Sequence, residues 1–239
     1  DIEGKVNIPF LGDIPRSESG DELISSNSRS STAEALRIAR TNLEFMLSSS
    51  IEGKSKTIFV TSTVPKEGKT FIAINIASTI ALSGKKVLLI GLDIRNPKLD
   101  QYVKLPSKGI TNYLSKNNED IDKYIVKQEN FENFYILPSG VVPPNPVDLL
   151  MNNKVDALFE ELKKKYDYIV VDTAPVSLVT DTLLIAKNAD AFLYVIRANY
   201  LDKRYLKMID TLYKENKLPN MSIVLNDTVW KSNYGYGYG

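Results

Sequence analysis

The sequence predicts a doubly wound α/β domain, a mainly parallel β-sheet covered by helices on both faces. Three observations predict it. From residue 56 onward, β-rich apolar runs alternate with helical patterns. Runs such as "KVLLIGLD" and "YIVVDTAP" are apolar almost throughout rather than at every second residue, which marks strands buried on both faces. Both of them also carry an aspartate at the end that a parallel sheet turns toward its ligands. A chain of 239 residues can bury a substantial core. It shows no internal repeat and no second α/β pattern, so one α/β domain is expected.

Taken in order, residues 1–30 are polar and serine-rich, with "IPFLGDIP" as their apolar cluster. They read as a leader that packs on the body or links it to something upstream. "SSTAEALRIARTNLEFML" reads as an amphipathic helix, with Ser31 as its cap, Glu34 completing a capping box, and Leu36, Leu43 and Leu47 on one face. "TIFVTS" is a strand and "TFIAINIASTIALSG" the helix after it. "KVLLIGLD" is the second strand and "NFYILPSG" the third. The third leads through a proline-rich turn into one long helix, "PVDLLMNNKVDALFEELKKKY". "YIVVDTAP", "AFLYVIRA" and "MSIVLND" are further strands, and "YLDKRYLKMIDTLYKENK" is the last long helix. The expected division is a leader over 1–30, the α/β domain over 31–230, and a tail over 231–239 in which tyrosine alternates with glycine.

Composition narrows the chemistry. The chain has no cysteine and no histidine. That removes disulfides, thiol nucleophiles, zinc fingers, imidazole bases and phosphohistidine relays. Catalysis must therefore use carboxylates, lysine, hydroxyls, backbone amides or a bound metal. A formal net charge of +1 gives no global pull toward nucleic acid, and no nucleic-acid partner is expected. The longest apolar stretch, "FIAINIASTIAL", is short and broken by polar residues, and no secretory signal is visible. A start at Asp1 rather than Met suggests a fragment or a processed product, so membrane segments could lie outside it.

The first strand runs into "TVPKEGKT", which fits the P-loop pattern except that Thr63 stands where the first glycine is expected. The context, a strand before and a helix after, is the one the motif needs; the alternative is a surface turn with a chance GKT. Thr63, Val64, Pro65, Lys66, Glu67, Gly68, Lys69, Thr70 and Phe71 form the candidate nucleotide-binding segment. Gly68 permits close backbone approach, successive N–H groups make an anion nest, and the helix N-terminus adds its positive end. Lys69 can reach the β- and γ-phosphates and the Thr70 hydroxyl can ligate Mg²⁺. Asp172 ends "YIVVD" as the candidate Walker B carboxylate on Mg²⁺, and Asp93 sits at the equivalent edge of another strand. Either alone could be a strand-end carboxylate capping a turn; as a pair beside a P-loop they read as a metal and catalytic set. Arg95 could contact phosphate or pair with a carboxylate.

Together these motifs resemble the bacterial tyrosine kinases (BY-kinases) of polysaccharide co-polymerases, which govern capsule and exopolysaccharide chain length. The resemblance covers nearly the whole chain. "TSTVPKEGKT" is similar to their Walker A, "LLIGLDIRNPKL" to their Walker A′, usually D-x-D-x-R, and "YIVVDTAP" to their Walker B. "ILPSGVVPPNPVDLL" resembles another segment typical of the family, and "EALRIAR" fits its E-x-x-R-x-x-R oligomerisation motif. "PFLGDIP" looks like the stretch joining the membrane activator to the kinase. One departure stands out: the first acidic position of Walker A′ is Gly91 here, which shifts its work to Asp93 and Asp172 or leaves the Mg²⁺ shell to water.

The resemblance implies an ATP- and Mg²⁺-dependent autokinase at the cytoplasmic face of the bacterial inner membrane. Its phosphoacceptors would be Tyr234, Tyr236 and Tyr238. Its partners would be a membrane activator, fused upstream or separate, and a protein-tyrosine phosphatase. Glu34, Arg37 and Arg40 follow one another at spacings of three, on nearly one helix face. The bland reading is a solvated face with an internal ion pair; the resemblance implies a head-to-tail ring closed by cyclic symmetry, each subunit offering its tail to the next. The tail is expected to be docked rather than free, for instance on a neighbouring subunit's nucleotide site. The wider superfamily of MinD and ParA shares the expected fold. There an asparagine after a late strand contacts adenine, and Asn226 matches it. A partitioning-type ATPase switch without tyrosine transfer is the alternative, but Val64 occupies the position of its signature lysine.

Overall fold

The computed structural model describes residues 7–17, 23–48 and 54–229. Its strands are β1 (Phe10–Pro15), β2 (Lys56–Ser62), β3 (Val87–Gly91), β4 (Val126–Lys127), β5 (Phe134–Leu137), β6 (Tyr168–Asp172), β7 (Ala191–Arg197) and β8 (Met221–Thr228). They form one sheet in the order β1-β8-β7-β2-β6-β3-β5-β4, parallel throughout except for the β4–β5 pair. Its helices are α1 (Ser31–Leu47), α2 (Lys69–Leu82), α3 (Ile110–Leu114), α4 (Pro146–Leu150), α5 (Asn153–Leu162), α6 (Asp181–Ile185) and α7 (Leu206–Lys214). This is the doubly wound architecture that the alternating runs predict.

Side chains alternate across each strand, so one sheet feeds two cores. On one face Phe59 meets Phe192 and Phe159, with ring centroids 5.3 and 5.7 Å apart, beside the buried side of α5. On the other, Ile58 and Val60 pack with α1 and α2. Helix α2 is buried from Lys69 through Ala81, as its all-round apolar composition requires. Its Asn75 is accommodated because the side-chain oxygen accepts from Ile24 N at 2.8 Å and the amide donates to Phe71 O at 3.1 Å.

Local differences from the expected elements have local causes. Ser30, not Ser31, caps α1: its hydroxyl accepts from Ala33 N at 3.2 Å and its carbonyl takes the first helical bond from Glu34 N. Glu34 therefore lies one position too late for a capping box. Leu36, Leu43 and Leu47 do face the core, joined by Ala33 and Ala39. The long helix expected over 146–166 is two helices, because Asn152 turns the chain and caps α5 by accepting from Lys154 N at 2.9 Å. Within the leader, Phe10–Pro15 is an edge strand beside β8, and Leu11, Ile14 and Ile24 enter the core with α1.

Candidate functional site

The carboxyl ends of β2, β6 and β3 lie side by side, because β6 sits between the other two. The loop after β2, Asp172 at the end of β6 and Asp93 just past β3 therefore converge. The loop and Asp93 border a cavity of about 390 Å³, and Asp172 reaches its lining through the hydrogen bond it accepts from Thr70. The P-loop-like turn is built as a braced arch. Thr63, in place of a glycine, is buried, and its hydroxyl is 2.9 Å from the Tyr194 hydroxyl on β7. Lys66 takes a left-handed φ of 68°. Gly68 has φ 90°, and a Cβ there would fall 2.1 Å from Asn226 Nδ2, so glycine is required twice over.

The Glu67 side chain points inward, which the motif alone does not reveal. Its carboxylate accepts from Val64 N at 2.8 Å and from Arg197 N at 3.3 Å. Burial pushes its pKa up, while the backbone donors at Val64, Arg197 and Thr63 pull it back. Arg197 also donates to Lys66 O at 3.1 Å and to Asp227 at 2.8 Å, and Asp227 receives Arg16 at 2.6 Å. Asn226 donates to Glu67 O at 3.0 Å. Sequence reasoning singled out Asn226 but missed Arg197 and Asp227, whose side chains carry no motif.

Three charged groups meet beneath the loop. Lys69 Nζ lies 2.8 Å from Asp93 Oδ2 and 3.8 Å from Asp172 Oδ1. The Thr70 hydroxyl donates to Asp172 Oδ2 at 2.8 Å, and Asp93 Oδ1 accepts from Asn96 N at 3.2 Å. Burial pushes the Asp172 carboxyl up to about 6, against the pull of Lys69 and the Thr70 bond and with a further push from Asp93. For Lys69, burial alone would lower the pKa, but Asp172 and Asp93 together raise it. Asp172 Oδ1 is buried and has no hydrogen-bond partner among the described residues. An ionised oxygen without a donor, next to a threonine hydroxyl, is a donor set that suits a hard divalent cation. No group of three or more acidic side chains is placed to hold a metal ion among the described residues, so such a cation would complete its shell with phosphate oxygens and water.

Arg95 lines the cavity, and its guanidinium pairs with both oxygens of Asp181 at 2.7 and 3.0 Å. Of the two partners open to it from sequence, this is the carboxylate. Asp181 lies nine-tenths or more buried in α6, in a stretch that carries no sequence signal. Phe71, Pro65 and Lys66 also line the cavity, while Val64 turns its N–H to Glu67.

Gly91, the departure in Walker A′, is explained by packing. A Cβ there would lie 2.6 Å from Ser139 Oγ, 3.0 Å from Leu99 Cδ1 and 3.2 Å from Ser139 N, and Ser139 Oγ donates to Gly91 O at 2.8 Å. Ser139 thus fills the space an acidic side chain would use. Gly91→Asp is expected to destabilise by roughly 1–3 kcal/mol through overpacking and to leave phosphotransfer no faster. A melting curve with a parallel activity assay checks both; higher activity at unchanged stability would show that the position tolerates the acid.

On α1, Arg37 pairs with Glu34 at 3.3 Å and donates to Ser28 O at 2.6 Å, and Arg40 Nε lies 4.0 Å from Glu44. Beside them Ile38 and Phe45 are exposed, Phe45 to 81%. Tyr234, Tyr236 and Tyr238, and the expected docking of the tail, lie outside the described residues.

A family model described as an AAA domain (AAA_31) matches residues 55–223. The tyrosine-protein kinase CpsD of Streptococcus agalactiae is 34% identical over 198 residues, covering 82% of this chain and 82% of that one. The chain belongs to the bacterial tyrosine kinases. The kinase domain of the Escherichia coli tyrosine kinase ETK superposes with a TM-score of 0.80 at 27% identity, over 97% of this chain and 95% of that one. The chimerical protein CapA2B2 superposes with a TM-score of 0.85 at 28% identity, over 96% and 99%. The enzyme class expected from the motifs is therefore the right one.

Proposed function

We propose that this chain is an ATP-dependent autokinase that phosphorylates Tyr234, Tyr236 and Tyr238 of a neighbouring copy within a head-to-tail ring. The observation that supports it most is the bridge of Lys69 between Asp93 and Asp172 at the mouth of a P-loop. The loop amides and Lys69 would hold the β- and γ-phosphates of ATP. Thr70 and Asp172 would hold Mg²⁺, which supplies charge neutralisation on the transferring phosphoryl group. Asp93 orients the tyrosine hydroxyl and takes its proton as the phenol oxygen bonds to the γ-phosphorus. The bond to the bridging oxygen breaks and ADP leaves with the electron pair. An ordinary phenol has a pKa near 10, so such an acceptor is needed at neutral pH. Asn226 commits its amide N–H to Glu67 O, leaving Oδ1 for the exocyclic amine of adenine.

In this reading residues 31–230 are the kinase domain, the leader comes from a membrane activator fused upstream or separate, and the tail over 231–239 is the substrate. The kinase works at the inner face of the bacterial inner membrane, controls capsular or exopolysaccharide polymerisation and export, and is reset by a phosphatase. No helix among the described residues is long and apolar enough to cross a membrane. Incubation with Mg²⁺-ATP followed by intact-mass analysis tests the reaction. Up to three phosphates confined to the C-terminal peptide are expected; ATP turnover without phosphotyrosine would instead support the ATPase switch.

The exposed Ile38 and Phe45, on the same helix as Arg37 and Arg40, favour an interface over a solvated face. Changing Arg37, Arg40 and Phe45 to alanine together should give monomers and weak autophosphorylation. Sedimentation of the variant as a large ring would place the interface elsewhere.

A further inference from the structure

The cavity has a wall that neither phosphates nor metal would use. Phe71 and Tyr102 form it, with ring centroids 6.3 Å apart and planes tilted by 44°. Both border the same cavity as Lys69, Thr70 and Asp93. Phe71 is almost fully buried and Tyr102 half-buried, so Tyr102 presents the outer ring. Leu178, 62% exposed, and Val179 also border the cavity, carried by the loop after β6.

Sheet order decides what this wall can receive. The P-loop follows β2, Asn226 lies in β8 and Tyr102 follows β3. In the order β8-β7-β2-β6-β3 the phosphate loop stands between Asn226 and the aromatic wall. With triphosphate on the loop and the base toward Asn226, the wall lies beyond the γ-phosphate, on the side of Asp93. A group placed there meets an aromatic face and a carboxylate together. We infer that Phe71 and Tyr102 form the acceptor subsite, holding the ring of the incoming tyrosine against Tyr102 so that its hydroxyl lies near Asp93. The wall would then favour a phenol over an aliphatic hydroxyl, because edge or offset contact between aromatic rings adds to simple burial. The inference rests on the autokinase reading above, and it assigns Tyr102 a specificity role rather than a chemical one.

The test uses the whole chain and the synthetic peptide SNYGYGYG, the sequence of residues 232–239. Binding of fluorescently labelled peptide is measured in the presence of a non-hydrolysable ATP analogue and Mg²⁺, and nucleotide affinity is measured separately. Tyr102→Leu, which keeps apolar volume but removes the ring, is expected to weaken peptide binding roughly tenfold. It should also lower kcat/KM for peptide phosphorylation by a similar factor, with nucleotide affinity within about twofold of the parent. Tyr102→Phe should bind peptide like the parent. Unchanged peptide binding in Tyr102→Leu overturns the subsite. So does a parallel loss of nucleotide affinity, which would give the wall to the base, or an equal loss in Tyr102→Phe, which would make the hydroxyl the contact. Peptide binding that depends on Tyr102 without any transfer in the parent chain would overturn the autokinase reading and leave the subsite standing.

Discussion

Lys69→Met is expected to abolish phosphotransfer and to lower the melting temperature, more so at high pH than at low. Lys69 is buried at 8% exposure and is the cation shared by Asp93 and Asp172. Removing one partner of a buried ionic group leaves uncompensated charge and costs about 3–5 kcal/mol. For a chain of this size that corresponds to roughly 10 °C in Tm. The pH dependence follows from Asp172. Its carboxyl already titrates at about 6 with Lys69 pulling it down, so loss of the lysine moves it higher still. A carboxyl whose folded pKa exceeds its unfolded value binds extra protons in the folded state, and stability then rises as pH falls. The Tm gap between variant and parent should therefore narrow between pH 8 and pH 5. Scanning fluorimetry at both pH values, beside a phosphotransfer assay, checks it. A gap that ignores pH would mean that Lys69 acts there by packing its stem and not by its charge.

Much of this was legible in the residues, and the reasons differ by element. β2, β3, β6 and β7 are continuous apolar runs because both faces are covered, and such runs announce themselves. β1 was not legible as a strand: an edge strand pairs on one side and its burial alternates irregularly, so its signal is weak. The split between α4 and α5 turns on Asn152, and an asparagine inside an otherwise helical pattern does not by itself say whether it caps or is tolerated.

At the site, Lys69, Thr70, Asp93 and Asp172 could be placed because strand ends and a P-loop fix positions along the chain that the sheet then brings together. Arg197, Asp227 and Asp181 could not, nor could the inward bracing role of Glu67, which the loop motif places only along the chain. Their partners come from other strands and loops, and whether a carboxylate turns inward to brace a loop is decided by tertiary packing. Gly91 shows the same limit in reverse. From sequence it is a missing acid; in the fold it is a position that Ser139 has filled.

Asp172→Asn should likewise abolish transfer, by about 10³-fold or more through lost charge stabilisation at the phosphoryl group, yet leave the protein more stable than the parent at high pH. Asp172 is 1% exposed, one of its oxygens has no hydrogen-bond partner among the described residues, and its carboxyl is raised from 3.8 to about 6. Holding it ionised in the folded chain therefore costs stability, by about 3 kcal/mol once pH exceeds both values. The cost is absent below pH 4, where the carboxyl is protonated folded or unfolded, and grows as pH rises through 6. Asparagine keeps the shape, can still accept from Thr70 and carries no charge to desolvate. In the presence of a chelator and without nucleotide, the variant should melt several degrees above the parent at pH 8, and the two should converge toward pH 4. A variant that is less stable at pH 8 would show that Lys69 more than compensates the buried charge. The two substitutions are matched in activity and opposed in stability because Lys69 is the charge that makes Asp172 tolerable, while Asp172 is held in a costly ionised form that suits a metal and a phosphoryl group better than it suits the fold.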